Sequence, residues 1–221
     1  MKIISFSLWG TNVGYYLGAI KNVELAYKIY PNWICRFYCA NNADKKFLDD
    51  IMYMDKTELV IMNEPDTWFG MFWRFFAADS DDVVISRDTD SRLSEREREA
   101  VDEWLNSKYD FHIMKDHPMH TVPILGGMWG ARNGILKGIK SSILEYKNTN
   151  QYIDGYHNDQ NFLSEQIYSK VVDNAKIHDT FGLNLPFPSK RRGREFIGQS
   201  IDENENEADR MHGDMIISSG M

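Results

Sequence analysis

Short apolar runs and segments of helical periodicity alternate along this chain, and that alternation is what most limits its fold. Residues 2–8 suit a buried first strand. From Tyr16, the residues Ile20, Val23, Leu25, Ala26 and Ile29 then keep one apolar face at helical spacing, until Pro31-Asn32 stops it. The spacing predicts strands at residues 33–40, 58–62 and 83–85, with a helix over 44–54 and an aromatic-rich, buried helix over 68–78. Ser94 with Glu97 has the form of a capping box and opens a charged helix running to about residue 106. Further strands are expected at 110–114 and 123–132, and helices at 135–146 and 158–170. Strand and helix taking turns imply an α/β sandwich around a mainly parallel sheet, whose ligands gather beyond the carboxyl ends of the strands.

The chain has 221 residues, 43% hydrophobic and 13% aromatic, which is enough to bury the core of one domain over 1–221. From about residue 176, glycines, prolines and the acidic stretch 202–209 predict loops and a mobile tail. A formal net charge of −8 argues against nucleic acid as a partner, because phosphate backbones demand a concentrated cationic surface. Cys35 and Cys39 share a strand face about 13 Å apart, too far for a disulfide, and read as buried thiols. No signal peptide and no apolar run of 18 or more residues is present, so a soluble cytoplasmic protein without a membrane span is expected.

Asp88-Thr89-Asp90 follows the apolar run Val83-Val84-Ile85 and opens a polar turn. Residues i and i+2 of an extended segment project to one face roughly 7 Å apart at Cα, so both carboxylates can converge on one cation or its waters. Mg²⁺ or Mn²⁺ takes oxygen ligands and is usually held by one or two carboxylates plus substrate phosphates, so the pair suggests a diphosphate ligand. A calcium loop is a poor alternative. Leu93 stands where its sharp turn needs Gly, and Arg92 and Arg96 fall at ligand positions. A phosphatase-type nucleophilic Asp also follows an apolar strand, but normally near the N-terminus.

In order along the chain come Ile3-Ser5-Phe6-Ser7, Ile85-Ser86-Arg87-Asp88-Thr89-Asp90, Gly126-Gly127-Met128-Trp129-Gly130, Asn158-Asp159-Gln160 and His178. This series resembles the glycosyltransferases of the GT-A fold, over about residues 2 to 200. The likeness is to small chlorella-virus-encoded domains and, more distantly, to retaining family 8 enzymes.

The resemblance implies a metal-dependent transferase that moves a sugar from a nucleoside diphosphate donor, UDP first among them, onto a carbohydrate hydroxyl, with a lean toward retention. Asp88, Asp90 and His178 would hold Mn²⁺ or Mg²⁺. Ser7 and Trp9 would belong to the base and ribose pocket, Thr89, Gly126 and Gly127 would lie against the donor, and Arg87 would neutralise phosphate or orient Asp88. Lys190 and Arg191 would close over the diphosphate. Asp159 would bind a sugar hydroxyl or act as base, unless it only caps its helix, while Asp116 and His117 could bind the acceptor or take its proton. A noncatalytic nucleotide-sugar or carbohydrate binding module is the alternative of a different class.

Overall fold

The computed structural model describes residues 1–65, 67–149, 151–152 and 155–219. Seven strands form one sheet in the order β3-β2-β1-β4-β6-β5-β7. These are β1 (Lys2–Leu8), β2 (Ile34–Cys39), β3 (Thr57–Ile61), β4 (Val83–Ser86), β5 (Phe111–Lys115), β6 (Trp129–Ala131) and β7 (Ala175–Asp179). All pair in parallel except β6, which runs antiparallel to both β4 and β5. Because β6 is reversed, the loop that precedes it arrives at the carboxyl ends of its neighbours. Gly126 and Gly127 reach the site by this route.

Apolar layers cover both faces. α1 (Val13–Ile29), α2 (Lys45–Met52) and α3 (Glu95–Leu105) supply one core with Ile4, Phe6, Phe37 and Trp104. The other core lies under α4 (Ile139–Lys147), α5 (Asn158–Phe162) and α6 (Tyr168–Val171), and under an aromatic 3₁₀ segment, Trp68–Ala78. Period-two alternation divides β1 between these cores. Ile4, Phe6 and Leu8 enter the first, whereas Ile3 enters the second and Ser5 and Ser7 bond the 3₁₀ segment.

The aromatic segment was expected to be an α-helix. Its 3₁₀ winding has three residues per turn, which sets Phe69, Phe72 and Phe75 in one eclipsed row, all buried. Asn12 caps α1, its side chain accepting from the Gly14 N–H at 2.9 Å. Ser94 caps α3 by accepting from the Glu97 N–H at 3.2 Å. Glu97, however, turns inward to Arg87 and completes no reciprocal box.

The strand expected over 123–132 is a loop with only Trp129–Ala131 in the sheet. The irregular C-terminal third contains β7 and a docked helix, α7 (Arg210–Ser218), rather than loops and a loose tail. Cys35 and Cys39 are buried free thiols, and burial pushes both up to about 12. No helix among the described residues is long and apolar enough to cross a membrane.

Candidate active site

Asp88 and Asp90 leave β4 at its carboxyl end, where the chain turns through Thr89. The turn is fixed from behind. Asn22 of α1 donates to the Thr89 and Ser91 carbonyls and accepts from the Leu93 N–H, while the Ile201 N–H donates to the Asp90 carbonyl at 2.7 Å. A Cβ on Gly18 would overlap the Thr89 carbonyl, so α1 lies directly against this turn. Thr89 is itself buried and contributes its carbonyl to the fixing rather than an exposed side chain.

Arg74 joins the two sides of the site. Its Nη2 lies 3.2 Å from Asp88 Oδ1 and 2.6 Å from Asp159 Oδ2, and its Nε donates to the Gly126 carbonyl at 3.4 Å. The 3₁₀ winding explains the placement. Trp68, Met71 and Arg74 form the row next to the buried phenylalanines, with Met71 Sδ against the Asp159 N–H and Arg74 on the Asp159 carboxylate. Ser7 Oγ accepts from the Arg74 N–H and Ser5 Oγ donates to the Arg74 carbonyl, which anchors that row to β1.

Gly126 and Gly127 close the floor. A Cβ at Gly127 would overlap the Asp88 carboxylate, and one at Gly126 would overlap both Arg74 and Asp159. The two glycines thus let the loop reach the acids themselves, and the Ser86 hydroxyl holds that loop by donating to the Gly126 carbonyl at 2.8 Å.

Negative charge is in excess here. No ion pair among the described residues reaches Asp90, and its carboxyl is raised to about 6, by burial first and then by the neighbouring Asp88. Asp159 is raised as well, chiefly by burial, against the opposing pull of Arg74. It stands in the first turn of α5 and is not the cap, a position held by His157. Tyr15 and Tyr156 border the same carboxylates. Burial raises both phenols first, and Asp88 and Asp90 add to the shift.

Several expected residues lie elsewhere. His178 sits on β7, separated from β4 by β6 and β5, with its Nδ1 2.8 Å from His112 Nε2 and its Nε2 3.3 Å from Glu103. It does not join Asp88 and Asp90, and no group of three or more His, Cys, Asp or Glu among the described residues is arranged to hold a metal. Arg87 points to the opposite face from Asp88, as the pleat requires, and pairs with Glu97 at 2.7 Å inside the α3 core. It cannot neutralise a phosphate from there.

Asp116 is fully buried. It binds Arg96 at 2.9 Å, Arg191 at 2.5 Å and the Ile197 N–H at 3.1 Å, which leaves it no free face for an acceptor. His117 is also committed: its Nδ1 accepts from the Met119 N–H and its Nε2 meets the His212 carbonyl. Burial lowers its pKa further, so it is a poor proton acceptor. Arg191 is locked on Asp116. Lys190 lines a separate cavity of about 390 Å³ between α1, α3 and the C-terminal segment, to which neither Asp88 nor Asp90 contributes. Trp9 packs on Gly70 and meets Trp68 edge to face at 5.5 Å, leaving the β1–α1 and β2–α2 turns to line a pocket of about 290 Å³ with Gly10, Thr11, Asn42 and Asp44.

Arg74 and Tyr156 were not anticipated as site residues. For Arg74 a signal existed, because one guanidinium inside an apolar aromatic run must find a carboxylate if it is buried. Tyr156 lies in a polar connection that carries no such mark.

This architecture is the GT-A fold. No family model and no curated protein matches the sequence. Among solved structures the chain is similar to a glycosyltransferase involved in glycosylation of the major capsid of PBCV-1. The TM-score is 0.51 at 14% identity, over 83% of this chain and 84% of that one. It is also similar to residues 1–349 of S. aureus TarS, with a TM-score of 0.52 and 10% identity, covering 81% of this chain and 58% of that one. A putative glucose-1-phosphate thymidylyltransferase from Bacillus anthracis aligns with a TM-score of 0.50 and 10% identity, over 81% of this chain and 86% of that one.

Proposed function

We propose that the chain is a glycosyltransferase that moves a sugar from a nucleoside diphosphate, UDP first among them, to a carbohydrate hydroxyl with the help of Mn²⁺ or Mg²⁺. The observation that carries this reading is the pair of acids at the end of β4: Asp88 shares one guanidinium with Asp159, while Asp90, without an ion pair among the described residues, is driven up to about 6 by burial and then by Asp88. The donor set fits a hard divalent cation, since two carboxylates make a partial oxygen shell that a diphosphate would complete. Asp88 and Asp90 would hold the ion, which when bound supplies electrostatic stabilisation to the departing diphosphate.

The protein's own groups then have distinct tasks. Arg74 fixes Asp88 and Asp159 in one arrangement and keeps positive charge beside them. Gly126 and Gly127 keep the floor thin enough for the acids to reach it. Asp159, buried on α5 with its oxygens on Arg74 and the Gln160 N–H, orients that guanidinium beside Asp88, and the pocket between the β1 and β2 turns would take the base and ribose. Of the two stereochemical outcomes we assign retention, in which attack on the leaving-group face requires no base opposite it.

The test is incubation with a panel of nucleotide sugars and simple glycosides, with and without Mn²⁺. Metal-dependent release of nucleoside diphosphate, with the sugar joined to the glycoside in its original anomeric configuration, is the expected result. Because one neighbour of the same fold is a putative nucleotidyltransferase, nucleotidyl transfer is the second reading, and pyrophosphate among the products would select it. Metal-dependent nucleotide binding with no turnover of any panel member would make the chain a binding module. Release of inorganic phosphate from simple esters, without affinity for nucleotide, would point to a phosphatase.

A further inference from the structure

An uninterrupted row of aromatic rings borders the acidic cluster. Trp9 meets Trp68 edge to face at 5.5 Å and 66°, and Trp68 meets Tyr156 at 6.1 Å and 70°. Two of its three members face solvent, Tyr156 at 73% and Trp68 at 41% exposure. Two adjoining large rings left this open beside the half-exposed Asp88 suit a partner that is apolar on one side and rich in hydroxyls on the other, because a ring offers a flat apolar face and the acid offers acceptors. A pyranose has that composition. A second nucleobase is poorly suited, since the base pocket proposed above, lined by Gly10, Thr11, Val13, Tyr16, Asn42, Asp44 and Phe47, shares no residue with the row.

We propose that Tyr156, braced edge-on by Trp68, is the platform for the acceptor sugar, which stacks one face on the Tyr156 ring and turns its hydroxyls toward the half-exposed Asp88. This rests on the glycosyltransferase reading and narrows it: the acceptor is a pyranoside presented face-on, approaching from the α5 side.

The bracing follows from the 3₁₀ segment. Trp68 begins the row that continues through Met71 to Arg74, and Arg74 holds Asp88 and Asp159. One rigid element therefore positions the platform and the acids together. The Tyr156 phenol lies close enough to Asp88, Asp90 and Asp159 for each to raise it, although burial of the group comes first.

Saturation-transfer NMR with a panel of methyl pyranosides, in parallel with calorimetry of UDP and Mn²⁺, tests the platform on the intact chain. The unaltered protein is expected to saturate ring protons of at least one glycoside. Tyr156→Ala and Trp68→Ala are expected to weaken that glycoside at least tenfold while leaving the UDP affinity within twofold, and Tyr156→Phe is expected to keep most of the binding. The inference is overturned if no pyranoside binds, if Tyr156→Ala leaves the glycoside affinity within twofold, or if it weakens UDP as much as the glycoside. Failure of the glycosyltransferase reading looks different, because metal-dependent UDP binding and sugar transfer would then be missing from the unaltered protein while glycoside binding could still be measured.

Discussion

Asp90 is expensive to keep where it is. Its carboxyl titrates at about 6 when folded, against an ordinary 3.8, so between those values the folded chain binds the extra proton. The associated stability is complete below the lower value and is lost as pH rises through the upper one. Asp90→Asn should therefore stabilise the protein by on the order of 2 kcal/mol at pH 8, with the gain levelling off above about pH 6 and vanishing below about pH 4. The same change should lower sugar transfer at least 10²-fold, as expected for losing electrostatic contact with a leaving group. Denaturant titrations across pH, beside rate measurements, check both; an Asn variant that transfers normally, or is no more stable at pH 8, would contradict this account. At this scale the pair Asp88 and Asp90 could be singled out by residue type and by position after a strand, whereas Asp159 and the two glycines, on a helix and in a loop, were singled out only through the family resemblance; the structure brings Asp88, Asp159 and both glycines into contact. The purely spatial facts were not. Arg87 and Asp116 look equally available in sequence, and only the pleat of β4 and the return of the C-terminal segment show that both are already paired.

Alternation of apolar runs revealed nearly every strand and helix, since each element buries a continuous face and so leaves its period in the sequence. It failed where an element is short or wound differently, and in the glycine-, proline- and acid-rich C-terminal third, where β7 and α7 went unread. β6 has three residues, too few to show a period, and was extended in error across the glycine loop. In the aromatic segment, phenylalanines at 69, 72 and 75 repeat every third residue, a spacing that also suits one side of an α-helix over two turns. Phe72 lies at the centre of this segment, within 5.4 to 6.4 Å of the rings of Phe69, Phe75, Tyr146, Tyr152 and Phe162. Phe72→Ala should cost about 3 to 5 kcal/mol, the usual range for removing a fully buried ring. Urea unfolding monitored by tryptophan fluorescence reads the loss, and a cost under about 1 kcal/mol would show that neighbouring rings collapse into the space.

Across the whole molecule, charge that looked like a solvated tail proves to be a fastening. Arg194 binds Glu207 and Asp214, Arg92 binds Glu205, and Asp116 gathers Arg96 and Arg191 beneath the segment that returns to the sheet. Burial pushes the Asp116 carboxyl up, but Arg96, Arg191 and the Ile197 N–H outweigh burial and hold it below the usual range. Its contribution is therefore present above the ordinary carboxylate value and is lost as pH falls through the depressed folded value. Asp116→Ala should cost about 3 to 5 kcal/mol at pH 7, because two poorly solvated guanidinium groups lose their partner. Hydrogen exchange should quicken first over residues 189–201, whereas uniform protection there would mean that the other ion pairs suffice. Gly18 on one side and the adjacent Gly126 and Gly127 on the other, more than a hundred residues away, each abut the acidic turn or the acids themselves with no room for a methyl group. Vacant space is consequently as much a signature of this protein as any carboxylate. A distant cousin that keeps both aspartates but carries alanine at one of those three positions must have moved something to make room: the backbone of the acidic turn opposite position 18, or the Asp88, Asp159 or Arg74 side chains opposite 126 and 127.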